Sequence, residues 1–158
     1  MENKKQLPLR IGVGIILLNH KNNVFVGKRI DNPKNSWQMP QGGVDQNENL
    51  LQAAKRELEE ETGVKSVKLI KELDGWFKYD LPKYLLGKLW KGKYRGQKQK
   101  WFVMKFLGKT DEINVKTKNP EFLDWKWVKF SILSNIVVDF KVAIYKRLTK
   151  ELNSLKLN

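Results

Sequence analysis

The sequence predicts an α/β (α+β) fold, a mixed sheet flanked by helices, and three observations point to it. Short apolar runs with the spacing of strands lie on both sides of a strongly amphipathic helix that ends at Gly63. A second helical pattern closes the chain, with Ile144, Leu148 and Leu152 recurring at i+4. The length of 158 residues suits a single domain, 1–158, with a substantial core. Hydrophobic residues at 41% argue against disorder, and no repeat or low-complexity tract is visible.

Taken in order, Ile11 to Leu18 and Val24 to Lys28 flank a polar turn and read as a hairpin. Ile30 to Ser36, with Pro33, reads as a loop that leads to Trp37 to Pro40. A paired-glycine turn, Gly42-Gly43, introduces the first helix. Asp45 with Glu48 resembles a capping box at its start, and Gly63 supplies the left-handed residue that stops it. Ser66 to Asp74 and Trp76 to Tyr79 are further strand candidates. After a basic loop come the strands Trp101 to Leu107 and Trp125 to Phe130, and Asp139 is placed to cap the last helix.

The first helix carries the chemistry. At about 100° per residue, Leu50, Leu51, Ala54 and Leu58 form an apolar stripe for the core. Glu57, Glu60 and Glu61 occupy the adjoining arc, above the small side chain of Ala53, which leaves room for an ion and a phosphate oxygen. Glu59 points away into solvent. Arg56, one turn before Glu60, is placed to neutralise and orient it. Carboxylates at i, i+3 and i+4 repel one another unless something positive sits between them, and a divalent cation is the simplest such group. Oxygen ligands suit Mg²⁺ or Mn²⁺, and Mg²⁺ is commonly shared between a few carboxylates and substrate phosphates. A Glu-rich run is ordinarily a solvated face. Here the acids cluster in a basic protein, border the buried stripe and follow a glycine turn, which favours the cation site.

Composition narrows the alternatives. With no cysteine, disulfides, thiolate nucleophiles and Cys-ligated zinc are excluded. The one histidine, His20, lies in a polar turn, so histidine triads are set aside. Lys plus Arg total 31 against 17 acids, a net charge of +14, which favours polyanions without choosing among them. Lys4, Lys5 and Arg10 before the apolar run superficially imitate a signal peptide. That run is short, holds Gly12 and Gly14, and has no cleavage site after it. A cytoplasmic protein with no membrane partner is expected. Gly87 to Tyr94 almost spells a phosphate-binding Walker A loop, but Tyr94 stands where Ser or Thr is required. The surrounding Lys88, Trp90, Lys91, Lys93, Tyr94, Arg95, Lys98, Lys100 and Trp101 interleave cations with aromatics. Such a stretch is able to hold phosphates and stack bases, or to be a solvated loop whose aromatics anchor the core.

The stretch from Gly42 to Val64 also matches the Nudix box at every defined position: Gly42, Glu48, Arg56, Glu57, Leu58, Glu60, Glu61, Gly63 and Val64. The chain therefore resembles the Nudix hydrolases, which implies an α/β/α sandwich and metal-dependent hydrolysis of a nucleoside diphosphate linked to another moiety. Ser36-Trp-Gln-Met-Pro-Gln-Gly-Gly, Gly96-Gln-Lys-Gln-Lys-Trp-Phe, Asn119-Pro-Glu-Phe and the Asp139-Phe-Lys stretch are similar to the bacterial RNA 5′-pyrophosphohydrolases, also described as dinucleoside polyphosphate hydrolases. The resemblance runs from about Arg10 to the last helix. It implies Mg²⁺, or Mn²⁺ or another divalent cation, on Glu57, Glu60, Glu61 and Glu121, with Glu57 or a neighbour activating water. By the same resemblance Arg29 and Phe140 sandwich a base, while Ser36, Tyr79, Gln97 and Lys141 contact the nucleotide or its phosphates and Gly42 and Gly43 border it. The implied substrates are 5′-triphosphorylated or diphosphorylated RNA, or nucleoside polyphosphates such as diadenosine tetraphosphate. The implied product from RNA is a 5′-monophosphate end that promotes mRNA decay.

Overall fold

Strand β1, Leu9–Leu18, is buried on both faces from Gly12 onward. A strand in that position reads as a continuous apolar run because each face meets its own core. Val13, Ile15 and Leu17 pack with Ala53, Ala54 and Leu58 of helix α1, Leu50–Thr62. Ile16 and Leu18 pack with Ile144, Tyr145, Leu148 and Leu152 of helix α3, Val142–Ser154. A sheet with a helix on either face is the expected α/β/α sandwich. The computed structural model describes residues 7–31 and 35–157, so Lys4, Lys5 and the Pro33 part of the expected loop lie outside the described residues.

The remaining strands are β2 (Val24–Arg29), β3 (Trp37–Gln38), β4 (Gln41–Gly43), β5 (Val67–Glu72), β6 (Phe77–Asp80), β7 (Gly96–Phe106) and β8 (Phe122–Val128), and a short helix α2 covers Leu133–Ile136. The sheet is mixed: β1 runs parallel to β7 from Leu9↔Gly96 to Leu18↔Lys105. Its other pairings are antiparallel. The expected hairpin is closed only at its turn, where Leu18 pairs with Val24. Beyond it β1 is taken by β7 and β4, and β2 by β8 and β3. Local alternation predicts a strand, not its distant partner. His20 is exposed in the turn, as expected, and Asn19 organises it by accepting from the backbone N–H of Lys21 and Asn23. Among the described residues no helix is long and apolar enough to cross a membrane.

Three local expectations are corrected. Gly42-Gly43 is a strand rather than a turn, paired with Val13 and Gly12 of β1. Glu48 accepts the Asp45 N–H at 3.0 Å, as in the expected box, but the helix starts only at Leu50 and its capping box is Asn49 with Gln52. Asp139 makes no side-chain cap; a 3₁₀ turn, Asp139–Lys141, leads straight into α3. Gly63 stops α1 in the left-handed region, φ 76°, with its N–H on Glu59 O at 2.8 Å. Tyr145, fully buried edge-on to Trp101, accepts the Met39 N–H on its hydroxyl at 2.8 Å. That bond ties α3 to the segment that enters β4, and leaving the buried N–H without a partner costs roughly 1–3 kcal/mol.

Candidate active site

The site grows from the junction of β4 and α1. The carboxylate of Glu57 lies where a side chain at Gly42 would stand: an added Cβ would meet its carboxyl carbon at 2.0 Å. Arg56 holds it there from behind. The guanidinium grips both oxygens of Glu48 at 2.8 and 2.9 Å, donates to Glu57 Oε1 at 2.9 Å and Glu60 Oε2 at 3.2 Å, and donates to Gly43 O at 2.9 Å. The expectation that Arg56 orients Glu60 is met, but Glu48 is its main partner. Glu61 is buried on the same side of α1 and accepts the Gln41 N–H at 3.3 Å. Glu60, drawn to Arg56, stays largely exposed at the rim. Ala53 does not line the cavity; it is fully buried in the core against β1.

Glu57, Glu60 and Glu61 open onto a cavity of about 890 Å³. Glu121 reaches it because its carbonyl accepts the Ile30 N–H at 3.0 Å, tying the start of β8 to the end of β2. Arg29 comes from a bulge at the end of β2 and is clamped by Asp31 through two bonds of 2.7 Å. Across the cavity, the Phe140 ring lies 5.7 Å from that of Tyr79, and Lys141 Nζ donates to Gln38 Oε1 at 3.0 Å. The structure thus brings Arg29, Gly42, Gly43, Tyr79, Phe140 and Lys141 to the walls together with the four acids. Ser36 is not on the wall. Gln97 lies beneath it, buried, accepting the Tyr79 hydroxyl at 2.9 Å, while among the described residues its Nε2 has no hydrogen-bond partner.

A NUDIX domain model matches residues 8–151. The chain belongs to the NUDIX family. An RNA pyrophosphohydrolase of Pelagibacter ubique (strain HTCC1062) is 60% identical over 154 residues, 98% of each chain. One of Rickettsia canadensis (strain McKiel) is 47% identical over 149 residues, 94% of this chain and 92% of that protein. The E. coli dihydroneopterin triphosphate pyrophosphohydrolase has the same fold, with a TM-score of 0.70 at 18% identity over 91% of this chain and 99% of that one.

NUDIX hydrolases generally use divalent cations, and the electrostatics of this acid cluster fit one. Burial, then the charges of Glu57 and Glu121, push the Glu61 carboxyl well above the usual carboxylate range. Burial also raises Glu57, against the opposing pull of Arg56. A positive ion among oxygen donors relieves this repulsion. Among the described residues no three acidic or histidine side chains already form a complete cage. On the cationic side, burial and then Arg29 bring Lys141 down to about 7.

Several wall residues of this NUDIX site went unread in the sequence. Arg10, placed with the leading cations, lies over the Trp90 ring at 5.2 Å and lines the cavity. Its alternation with Gly12 and Gly14 on β1 was the available signal. Leu85, and Leu89 with Trp90 in the segment that mimics a Walker A loop, form an apolar wall, of which the sequence marks only Trp90, in its basic aromatic stretch. That segment is a 3₁₀ turn, Leu89–Gly92, with Trp90 and Lys91 at positive φ and no helix after it. Trp101 is a core residue and Arg95 pairs with Asp80 at 2.6 Å, so only part of the basic aromatic stretch faces the site.

Proposed function

We propose that this chain is an RNA pyrophosphohydrolase that uses Mg²⁺, replaceable by Mn²⁺, to remove pyrophosphate from the 5′-triphosphate end of RNA and leave a 5′-monophosphate. One observation carries the reading: a single cavity brings Glu57, Glu61 and Glu121 together with Arg29, whose guanidinium lies 4.0 Å from Glu121 Oε2, and with Lys141 and the Tyr79–Phe140 rings. Acids suit a cation with its phosphates, cations suit the remaining phosphate charge, and rings suit an unpaired base. The 60% identity to a protein named RNA pyrophosphohydrolase supports the same substrate.

In this proposal Glu57, Glu60, Glu61 and Glu121 hold the cation, which when bound polarises phosphate oxygens and lowers the pKa of attacking water. Glu57, aimed by Arg56 over Gly42, accepts the proton as water adds to phosphorus and the bond to the leaving pyrophosphate oxygen breaks. Arg29, fixed by Asp31, and Phe140 hold the base. Lys141 and Arg10 offset phosphate charge, and an anionic ligand draws Lys141 to its protonated form. Gln97 sets the Tyr79 hydroxyl from below.

Specificity constants for triphosphorylated RNA and for diadenosine tetraphosphate, measured side by side, test the substrate. The proposal expects RNA to be preferred; preference for the dinucleotide would replace it with a small-nucleotide hydrolase.

A further inference from the structure

The α1 side of the sheet carries a second concentration of charge that the chemistry above does not use. Ile11 of β1 stands in register with Lys98 of β7, and Lys98 with Lys78 of β6. Residues paired in register share a sheet face, so these three form a row across strands about 4.8 Å apart. Lys100 follows Lys98 on the same face. The ammonium groups of Lys98 and Lys100 lie 5.1 and 6.0 Å from the centre of the Trp76 ring. Among the described residues Lys78, Lys98 and Lys100 make no ion pair, and Lys100 Nζ donates to Gly75 O at 3.2 Å.

This patch adjoins a recess that borders the catalytic cavity. A recess of about 350 Å³, lined by Leu9, Ile11, Val44 and Tyr94 among others, shares Arg10, Gly43 and Glu57 with the larger cavity. At the sill between them the Arg10 guanidinium packs on Gly43, 2.2 Å from where a Cβ would be. Ile11 belongs both to the recess and to the row that holds Lys98. A chain whose end lies at Glu57 therefore meets Arg10, then the recess, then the lysines and Trp76.

We propose that Trp76, Lys78, Lys98 and Lys100 form a track for the single-stranded RNA that follows the reacting 5′ end. The proposal rests on the RNA reading given above and extends it beyond the cavity. Lysines that carry no ion pair among the described residues neutralise successive phosphates, and a splayed base stacks on the Trp76 ring as the ammonium groups of Lys98 and Lys100 turn from it to the phosphates, which a base kept stacked in a duplex does not do. A nucleoside polyphosphate ends inside the cavity and does not reach the track.

The test compares the full chain with a Lys78→Thr/Lys98→Thr/Lys100→Thr variant on two substrates, a triphosphorylated dinucleotide and a triphosphorylated RNA of about twenty nucleotides. The track predicts that kcat/KM on the long RNA falls on the order of tenfold or more through KM, with the dinucleotide within about twofold of wild type. The slope of log kcat/KM against log salt on the long RNA becomes shallower by about 2, near 0.7 for each lysine removed. Trp76→Ala lowers long-RNA kcat/KM by on the order of tenfold and leaves that slope in place. Equal losses on both substrates overturn the track. So does unchanged long-RNA kinetics in a variant active on the dinucleotide, which would leave the patch to a protein partner and the proposed function intact. Wild-type protein inactive on both RNAs would remove the RNA reading itself, and the track with it.

Discussion

A Cβ at position 42 would fall 2.0 Å from the carboxyl carbon of Glu57, so the absence of a side chain on one strand defines where a carboxylate on the neighbouring helix rests. The displaced group in Gly42→Ala is the far end of a flexible side chain, which swings aside at little cost to the fold. We predict a kcat loss on the order of a hundredfold with unfolding free energy changed by less than about 1 kcal/mol. Steady-state kinetics beside thermal melts check this, and near-normal kcat would show that Glu57 does not act from this position.

Arg56 binds Glu48 through a two-pronged contact while its third nitrogen holds Glu57 and Glu60. Lysine keeps the charge but lacks the planar fork. Arg56→Lys is therefore expected to lower kcat by about tenfold or more and destabilise by roughly 1–3 kcal/mol. A variant with normal kcat and normal stability in a denaturant titration would reduce Arg56 to a surface ion pair.

Glu61 links stability to pH and to the cation. Its folded pKa is raised above the ordinary 4.5, so its contribution to stability is full below that value and is lost as pH rises through the folded value. Glu57, also raised, adds in the same direction. Lys141 acts oppositely but only above about 7, as pH rises toward 10.5. Metal-free protein should thus lose stability on going from mildly acidic to neutral pH, and Mg²⁺ should restore it at neutral pH. Melting temperatures across that range with chelator and with Mg²⁺ read this directly. Glu61→Gln should flatten both responses; a wild-type melting curve indifferent to Mg²⁺ at neutral pH would contradict the cation site.

Phe140 is half-buried, packed on the core beside Tyr79 and also lining the cavity, so it can serve as a core anchor or as a base platform. Phe140→Ala is expected to raise KM for RNA by about tenfold, the size of a lost base stack, with a smaller loss of fold stability. Equal damage to folding and binding, seen by pairing melts with kinetics, would return it to the core.

How much of this was legible in the sequence depends on how local each signal is. Leu58, Glu61 and Gly63 declare themselves because helical periodicity and a left-handed stop are short-range. The doubly buried β1 shows as a continuous apolar run. Gln97 and Gln99 conceal the first half of β7, since buried amides look like surface residues until Tyr79 and Gln41 are known to be their partners. The wall of Leu85, Leu89 and Trp90 depends on contacts across the fold, which no local pattern encodes, whereas strand alternation with Gly12 and Gly14 gives the face of Arg10 but not its Trp90 partner.

The most direct test of the account identifies the phosphate species released from RNA labelled in its 5′-triphosphate, by wild type and by Glu57→Gln, with Mg²⁺ and with chelator. The account predicts pyrophosphate and a 5′-monophosphate RNA end from wild type with Mg²⁺, a loss of about a thousandfold or more in Glu57→Gln while that variant still unfolds in one cooperative transition, and no release with chelator. Near-normal release by Glu57→Gln, or by chelated wild type, would contradict it.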